Sequence, residues 1–276
     1  MACPDRTHPL RPPKRPVAAG TPAWPTFSGT ARLVGTSSSG VTVYVDQALG
    51  QQALQNAQDL LAAADNVVAR NNAIFAITGG AVDVIVYAIG GATDGTGGAD
   101  HGGCDFTTGN AIEVDASYGS PNRVIGLFEA ELSECAMNGN LCGYSTGEAL
   151  SRWCAAVVSS NALTDYATAP RWAQAGMPNW VDQTEHTDQD AVSTGCGMAF
   201  ISWLLSQGHH LSQIAQAMVK LGDSGTLAAL YAQLTGNPAG NAWPNFQSAV
   251  AALPGGVTTD DPFNGFSEAV SASPQN

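Results

Sequence analysis

Residues 128–135 read F-E-A-E-L-S-E-C, three carboxylates in one short run of a chain in which only 12% of residues are charged. On a helix with about 100° per residue, Val124, Leu127, Phe128, Leu132 and Cys135 form one apolar arc. Glu131 falls inside that arc, Glu134 lies at its edge one turn on, and Glu129 points away, toward solvent. A buried lone carboxylate is costly unless it is neutralised, paired or metal-bound. Two side by side raise each other's proton affinity. Glu131 and Glu134 are therefore either matched by backbone groups or an arginine, with Arg123 and Arg152 as candidates, or they belong to a site. Paired acids serve as general acid and base, or as oxygen ligands for a cation.

Glu148 belongs with them. Ser145-Thr146-Gly147-Glu148 has the spacing of a capping box, which would spend Glu148 on the Ser145 backbone. Two helices joined by a short turn are also antiparallel neighbours, which carries Glu148 toward Glu134. The catalytic candidates are thus Glu131, Glu134 and Glu148, with Glu134 and Glu148 as possible metal ligands. His101, in a glycine-rich loop, and His186, in T-E-H-T-D-Q-D beside Asp188 and Asp190, are secondary candidates able to approach these acids; each reads more simply as a solvated loop residue. Thr187 and Asp190 also make a helix cap. His209-His210 reads as surface at a helix junction.

The run V-I-G-L-F-E-A-E-L-S-E-C-A-M, followed by G-E-A-L-S-R-W, resembles the two zinc-site helices of gluzincin metallopeptidases, with the plant and bacterial basic secretory protein group as the nearest analogue. The outline covers about residues 40–220, and D-Q-D-A-V-S-T-G-C-G-M-A-F-I-S-W-L-L looks like the later packing helix of that group. The resemblance implies a zincin-like fold with H-E-x-x-H on the first helix and a third ligand, a Glu, on the second. Here Ala130 holds the first histidine position, Glu131 the general-base position, Glu134 the second histidine position and Glu148 the third-ligand position. Zinc favours nitrogen and sulfur donors, so zinc is not expected. An oxygen-only set suits Ca²⁺, Mg²⁺ or Mn²⁺, so a divalent cation is the cofactor to consider. Peptidase activity does not carry over. The expectation is a non-peptidase binding or structural protein of metallopeptidase-like fold, with a hydrolase of peptide or glycan built on the three glutamates as the alternative.

Two further chemistries share these residues. Gly143-Tyr144-Ser145-Thr146-Gly147 matches G-x-S-x-G, which would make Ser145 a nucleophile with His186 or His209 as base, although no apolar strand precedes it. Glycoside hydrolysis needs two acids across a bond, which Glu131 with Glu148 or Asp190 could supply. Trp153, Trp172, Trp180 and Trp203 could then stack on sugars, though core packing is the commoner fate of tryptophan.

The elements that must position these groups read as α+β: a small mixed sheet with a crossing helix, then a helical C-terminal lobe. VTVYV (41–45), AIFAI (73–77), VDVIVYAI (82–89) and AIEVDA (111–116) read as strands, the last near an edge, and 48–71 as a helix. The loop 90–110 is long enough to be functional; its Asp94, Asp100 and Asp105 match no EF-hand spacing. Ser120-Pro121 opens a helix to about Met137, and Ser145 opens another to about Val158. Further helices are predicted over 188–205, 211–221, 224–235 and 242–253. The predicted organisation is a Pro-rich basic arm over 1–28, one domain over 29–258 and a tail over 259–276.

Four of the ten basic residues lie in the first 16 positions, so the remainder carries six basic against 22 acidic side chains, a net −16. Such a body repels phosphate backbones, which argues against nucleic acid as a partner and leaves a peptide or glycan ligand. The start lacks the apolar core of a signal peptide, and no apolar run is long enough to span a membrane. The six cysteines contain no C-x-x-C pair. Cys135 and Cys142 bracket a turn and could form a disulfide, or the thiols could stay reduced and buried. A disulfide and an acidic surface would suit a secreted or periplasmic protein.

Overall fold

The computed structural model describes residues 22–107 and 110–271. It is α+β, with a five-stranded mixed sheet followed by a helical C-terminal part. The elements are β1 (Ala31–Thr36), β2 (Thr42–Asp46), α1 (Gln51–Phe75), β3 (Asp83–Tyr87), β4 (Ala99–His101), β5 (Ala111–Asp115), α2 (Pro121–Ala136), α3 (Ser145–Val158), α4 (Ala162–Asp165), α5 (Ala169–Gln174), α6 (Ala191–Ser206), α7 (Leu211–Leu221), α8 (Leu227–Thr235), α9 (Ala242–Ala251) and α10 (Phe266–Ser271). The sheet order is β1-β2-β3-β5-β4, antiparallel at both edges and parallel in the middle.

Strand alternation sets the layers. Val43, Val45, Val84, Val86, Ile112 and Val114 face α1 and α2, packing on Leu60, Val67, Val124, Phe128 and Leu132. Ile85 and Tyr87 face the other way and are covered by Trp24 and Phe27. That cover is anchored by Glu113, fully buried in β5, whose carboxylate accepts from Thr26 N at 2.9 Å, Phe27 N at 2.7 Å and Thr26 Oγ1 at 2.6 Å. Of the arm predicted over 1–28, residues 22–28 are therefore docked on the sheet; residues 1–21, including Cys3, lie outside the described residues.

The helical part has its own core around α6. Thirteen of its sixteen residues are buried, so it has no solvent face. Its Phe200 and Trp203 pack with Phe246, and Trp153 and Trp172 belong to the same core. The segment read as a tail closes this core. Asp260 accepts from Thr168 N at 2.7 Å and Ala169 N at 2.6 Å, capping the start of α5. Asp261 accepts from Ser202 Oγ at 2.6 Å and Gly265 N at 2.7 Å.

Three expectations are corrected. AIFAI is not a strand: Ala73–Phe75 are the last turn of α1, which ends at Ala76 in the left-handed region (φ 54°). Strand β1 was not anticipated, because ARLVGT carries no alternation and Leu33 is exposed. The disulfide joins Cys104 to Cys142, not Cys135 to Cys142. Cys135 lies buried within α2 instead, where its place on the core-facing side keeps the thiol away from the turn.

Candidate functional site

Strand β4 decides where His101 goes. It pairs antiparallel with β5, with His101 opposite Ile112 and Asp100 opposite Glu113. Directly opposed residues share a face, and Ile112 faces the helices, so His101 faces α2. On α2, Glu131 and Glu134 are one turn apart and meet it. His101 Nε2 stands 3.0 Å from Glu134 Oε2 and 3.8 Å from Glu131 Oε2. The three side chains are 8%, 13% and 12% exposed, which leaves the cluster reachable but mostly out of water. The other ring nitrogen, Nδ1, bonds the carbonyl of Gly103. Donation there leaves Nε2 facing the carboxylates, where it donates to Glu134 while the ring is protonated and would offer its lone pair to a cation once that proton is lost, the second-partner arrangement typical of a metal-binding imidazole. The Cys104–Cys142 bridge and a Gly139 N–Cys104 O bond of 2.6 Å fasten this loop to the α2–α3 turn.

Electrostatics follow from this crowding. Burial opposes a charged His101, but the Glu134 hydrogen bond and the Glu131 charge override it and push the ring up to about 10. Glu131 is driven well above the usual carboxylate range by burial first and by Glu134 next. Among the described residues, His101, Glu131 and Glu134 are the group whose ligand atoms all lie within 4.8 Å of one another.

Glu148 is diverted. The expected capping box does not form: Tyr144 precedes α3, and Glu148 pairs with Arg152 across one turn, Oε1 to Nη2 at 2.6 Å. It remains close enough for Glu134 and Asp188 to raise its proton affinity, which burial raises first. Arg123, the other candidate partner for Glu131, pairs with Asp165 at 3.2 Å. Asp188 is half-buried and feels Glu134. Asp190 is taken by its structural role, accepting from Val192 N at 2.9 Å as the cap of α6. His186 packs on the Tyr144 ring, 4.6 Å between centroids, and joins no ligand group among the described residues.

The G-Y-S-T-G stretch forms a helix-to-helix turn. Gly143 has φ 70°, and a side chain at Gly147 would meet Leu141 O at 2.3 Å, so both glycines serve the tight α2–α3 turn. Ser145 is the first residue of α3, 4% exposed and not preceded by a strand. Trp153, Trp172 and Trp203 take the commoner fate and lie in the core, and Trp180 is partly buried. Asp94 and Asp105 bond the loop backbone at Thr96 and Thr107.

Glu129 is the residue that sequence reasoning misplaced. It is fully buried, with neither carboxylate oxygen hydrogen-bonded, and burial drives its proton affinity well up. A one-sided helical wheel fails because α2 is covered by the sheet, α1 and α3 at once.

A cavity of ≈ 390 Å³ is lined in part by Arg152, Tyr166, Thr168, Arg171, Asp188 and Thr194; His101, Glu131 and Glu134 are not in its wall. No helix among the described residues is long and apolar enough to cross a membrane. No protein-family model matches the chain, and none of the curated proteins matches it.

Proposed function

We propose that the chain holds a divalent cation between His101, Glu131 and Glu134 and uses it to hydrolyse a peptide. The observation that carries this reading is the arrival of His101 Nε2 within 3.0 Å of Glu134 and 3.8 Å of Glu131. It supplies the imidazole whose absence from the E-L-S-E run argued for a non-catalytic protein. One nitrogen and two carboxylate donors suit Mn²⁺, Fe²⁺ or Zn²⁺ better than the oxygen-only set read from sequence. When bound, the cation would lower the pKa of water and polarise a carbonyl. Gly103 holds the His101 tautomer, and Glu148, paired with Arg152, is the adjacent carboxylate able to take a proton from water. The gluzincin resemblance supports a metal site on these two helices, although it gives Glu131 the base position and Glu148 the third-ligand position, the reverse of the roles proposed here, and His101 replaces the missing histidine from the sheet. The buried tryptophans favour a peptide over a glycan. The disulfide supports a secreted or periplasmic setting.

The test is hydrolysis of a quenched fluorescent peptide library by protein loaded with Mn²⁺ or Zn²⁺. Glu148→Gln is expected to keep the metal and lose about 10²-fold or more in kcat, whereas His101→Ala loses both. Turnover that survives full removal of metal would refute the reading.

A second reading rests on the same contacts. A protonated His101 between two carboxylates clamps β4 onto α2 without any ion. It predicts no metal uptake, no turnover, and a large loss of stability in His101→Ala.

A further inference from the structure

We propose that the segment Trp24–Phe27 is a clasp that positions His101: its docking on Glu113 keeps β4 paired to β5, and its release withdraws the imidazole from Glu131 and Glu134. The consequence for the cluster rests on the metal reading, and the clasp itself does not.

His101 stands on the shortest strand of the sheet. β4 has three residues, lies at the edge and pairs with β5 alone. Directly opposed residues share a face, so His101 and Ile112 look toward the helices while Asp100 and Glu113 look to the other side. Two carboxylate residues therefore oppose each other across the one strand pair that holds His101. Like charges so placed are destabilising.

The segment ahead of β1 answers that conflict. Glu113 is fully buried; its Oε1 accepts from Thr26 N at 2.9 Å and Phe27 N at 2.7 Å, and its Oε2 from Thr26 Oγ1 at 2.6 Å and Tyr87 Oη at 3.2 Å. Three of these four donors belong to the segment. Charge-assisted bonds of this length are the strong ones, and they draw the carboxylate's charge toward the clasp. Trp24 and Phe27 bring the donors into place by packing on Tyr44 and Tyr87, with ring centroids 5.5 and 5.1 Å apart. Without the segment, Glu113 keeps Tyr87 and turns its full charge on Asp100. The strand that gives way is β4, because β5 is also paired along its whole length with β3.

The test uses the full chain carrying Trp24→Ala, Thr26→Val and Phe27→Ala together. Hydrogen exchange in metal-free protein is followed at Gly102 N, which donates to Ala111 O at 2.9 Å, and at Asp115 N, which donates to Gly98 O at 2.9 Å. Both amides are expected to exchange about tenfold faster in the variant while those of α6 keep their rates, as in local opening. Mn²⁺ affinity, from calorimetric titration, is expected to fall by about the same factor. Adding Glu113→Gln removes the facing charge, so it should recover part of both losses in the variant although it loosens the clasp in the parent. Thr26→Val alone should speed exchange at Gly102 by about threefold, which carries the test if the triple variant does not fold. Unchanged exchange at Gly102, equal acceleration in α6, a further loss on adding Glu113→Gln, or Mn²⁺ bound by the triple variant as tightly as by the parent would overturn the proposal. The two readings fail separately: a parent that takes up no Mn²⁺ but shows the exchange pattern upholds the clasp and removes the metal site. Metal uptake with exchange at Gly102 indifferent to the clasp does the reverse.

Discussion

At the residue scale, the cluster works because each charge has been given a different answer. His101 takes Glu134 and Glu131, Arg152 takes Glu148, and Arg123 takes Asp165. Removing His101 leaves two facing carboxylates without their cation, a change expected to cost about 3–5 kcal/mol. Thermal unfolding of His101→Ala in metal-free buffer measures it. Asp260 makes a second, independent prediction, because burial lifts its carboxyl to about 6 from the ordinary 3.8 even though Ala169 and Thr168 donate to it. A raised acid holds its proton longer in the folded state than in the unfolded one. Folding therefore takes up a proton between pH 4 and 6, and stability falls as pH rises through that window, by about 2–3 kcal/mol. Asp260→Asn should flatten this dependence in urea titrations at pH 4, 5 and 6.

At the element scale, two connections hold the site together. The Cys104–Cys142 bridge closes a separation of 38 residues and ties the loop of His101 to the α2–α3 turn. A Cys104→Ser, Cys142→Ser protein is expected to lose about 4 kcal/mol on chain-entropy grounds, and to bind metal more weakly because His101 is no longer held. The turn itself depends on Gly147, whose added methyl would strike Leu141 O at 2.3 Å. Gly147→Ala should destabilise by about 1–3 kcal/mol, measured by chemical denaturation. These elements were unevenly legible. Helices α2, α3, α6, α7, α8 and α9 were readable because their caps and apolar spacing are local signals, as at Ser120-Pro121, although α6 starts at Ala191 under an Asp190 cap rather than at 188 after Thr187. Strand β4 was not, since Ala-Asp-His has no strand pattern and exists because β5 offers it an edge. The acids of the site were legible as apolar-face carboxylates. The partner of Glu134 was legible only as one of two candidates, His101 or His186, because pairing across 33 residues is set by sheet register rather than by spacing. Glu129 was misread for the matching reason: a helix enclosed on several sides has no face for a charge to escape to.

For the molecule as a whole, the sheet layer and the helical layer meet along α1, α2 and α3, and the cluster lies on that seam. The polypeptide from 259 to 271 closes the helical layer through Asp260 and Asp261, so a chain ending at 258 is expected to lose cooperative unfolding, checked by circular dichroism on heating. Outside its first 16 residues the chain carries a net −16, a charge that favours cations over polyanions near its surface. The measurement that bears most directly on the account is the metal content of full-length protein purified without chelator, set beside His101→Ala and Glu134→Gln. The account predicts close to one transition-metal ion per chain in the parent and at least a 100-fold weaker affinity in each variant. A parent protein that takes up no divalent ion, or variants that bind it as well as the parent, would contradict it.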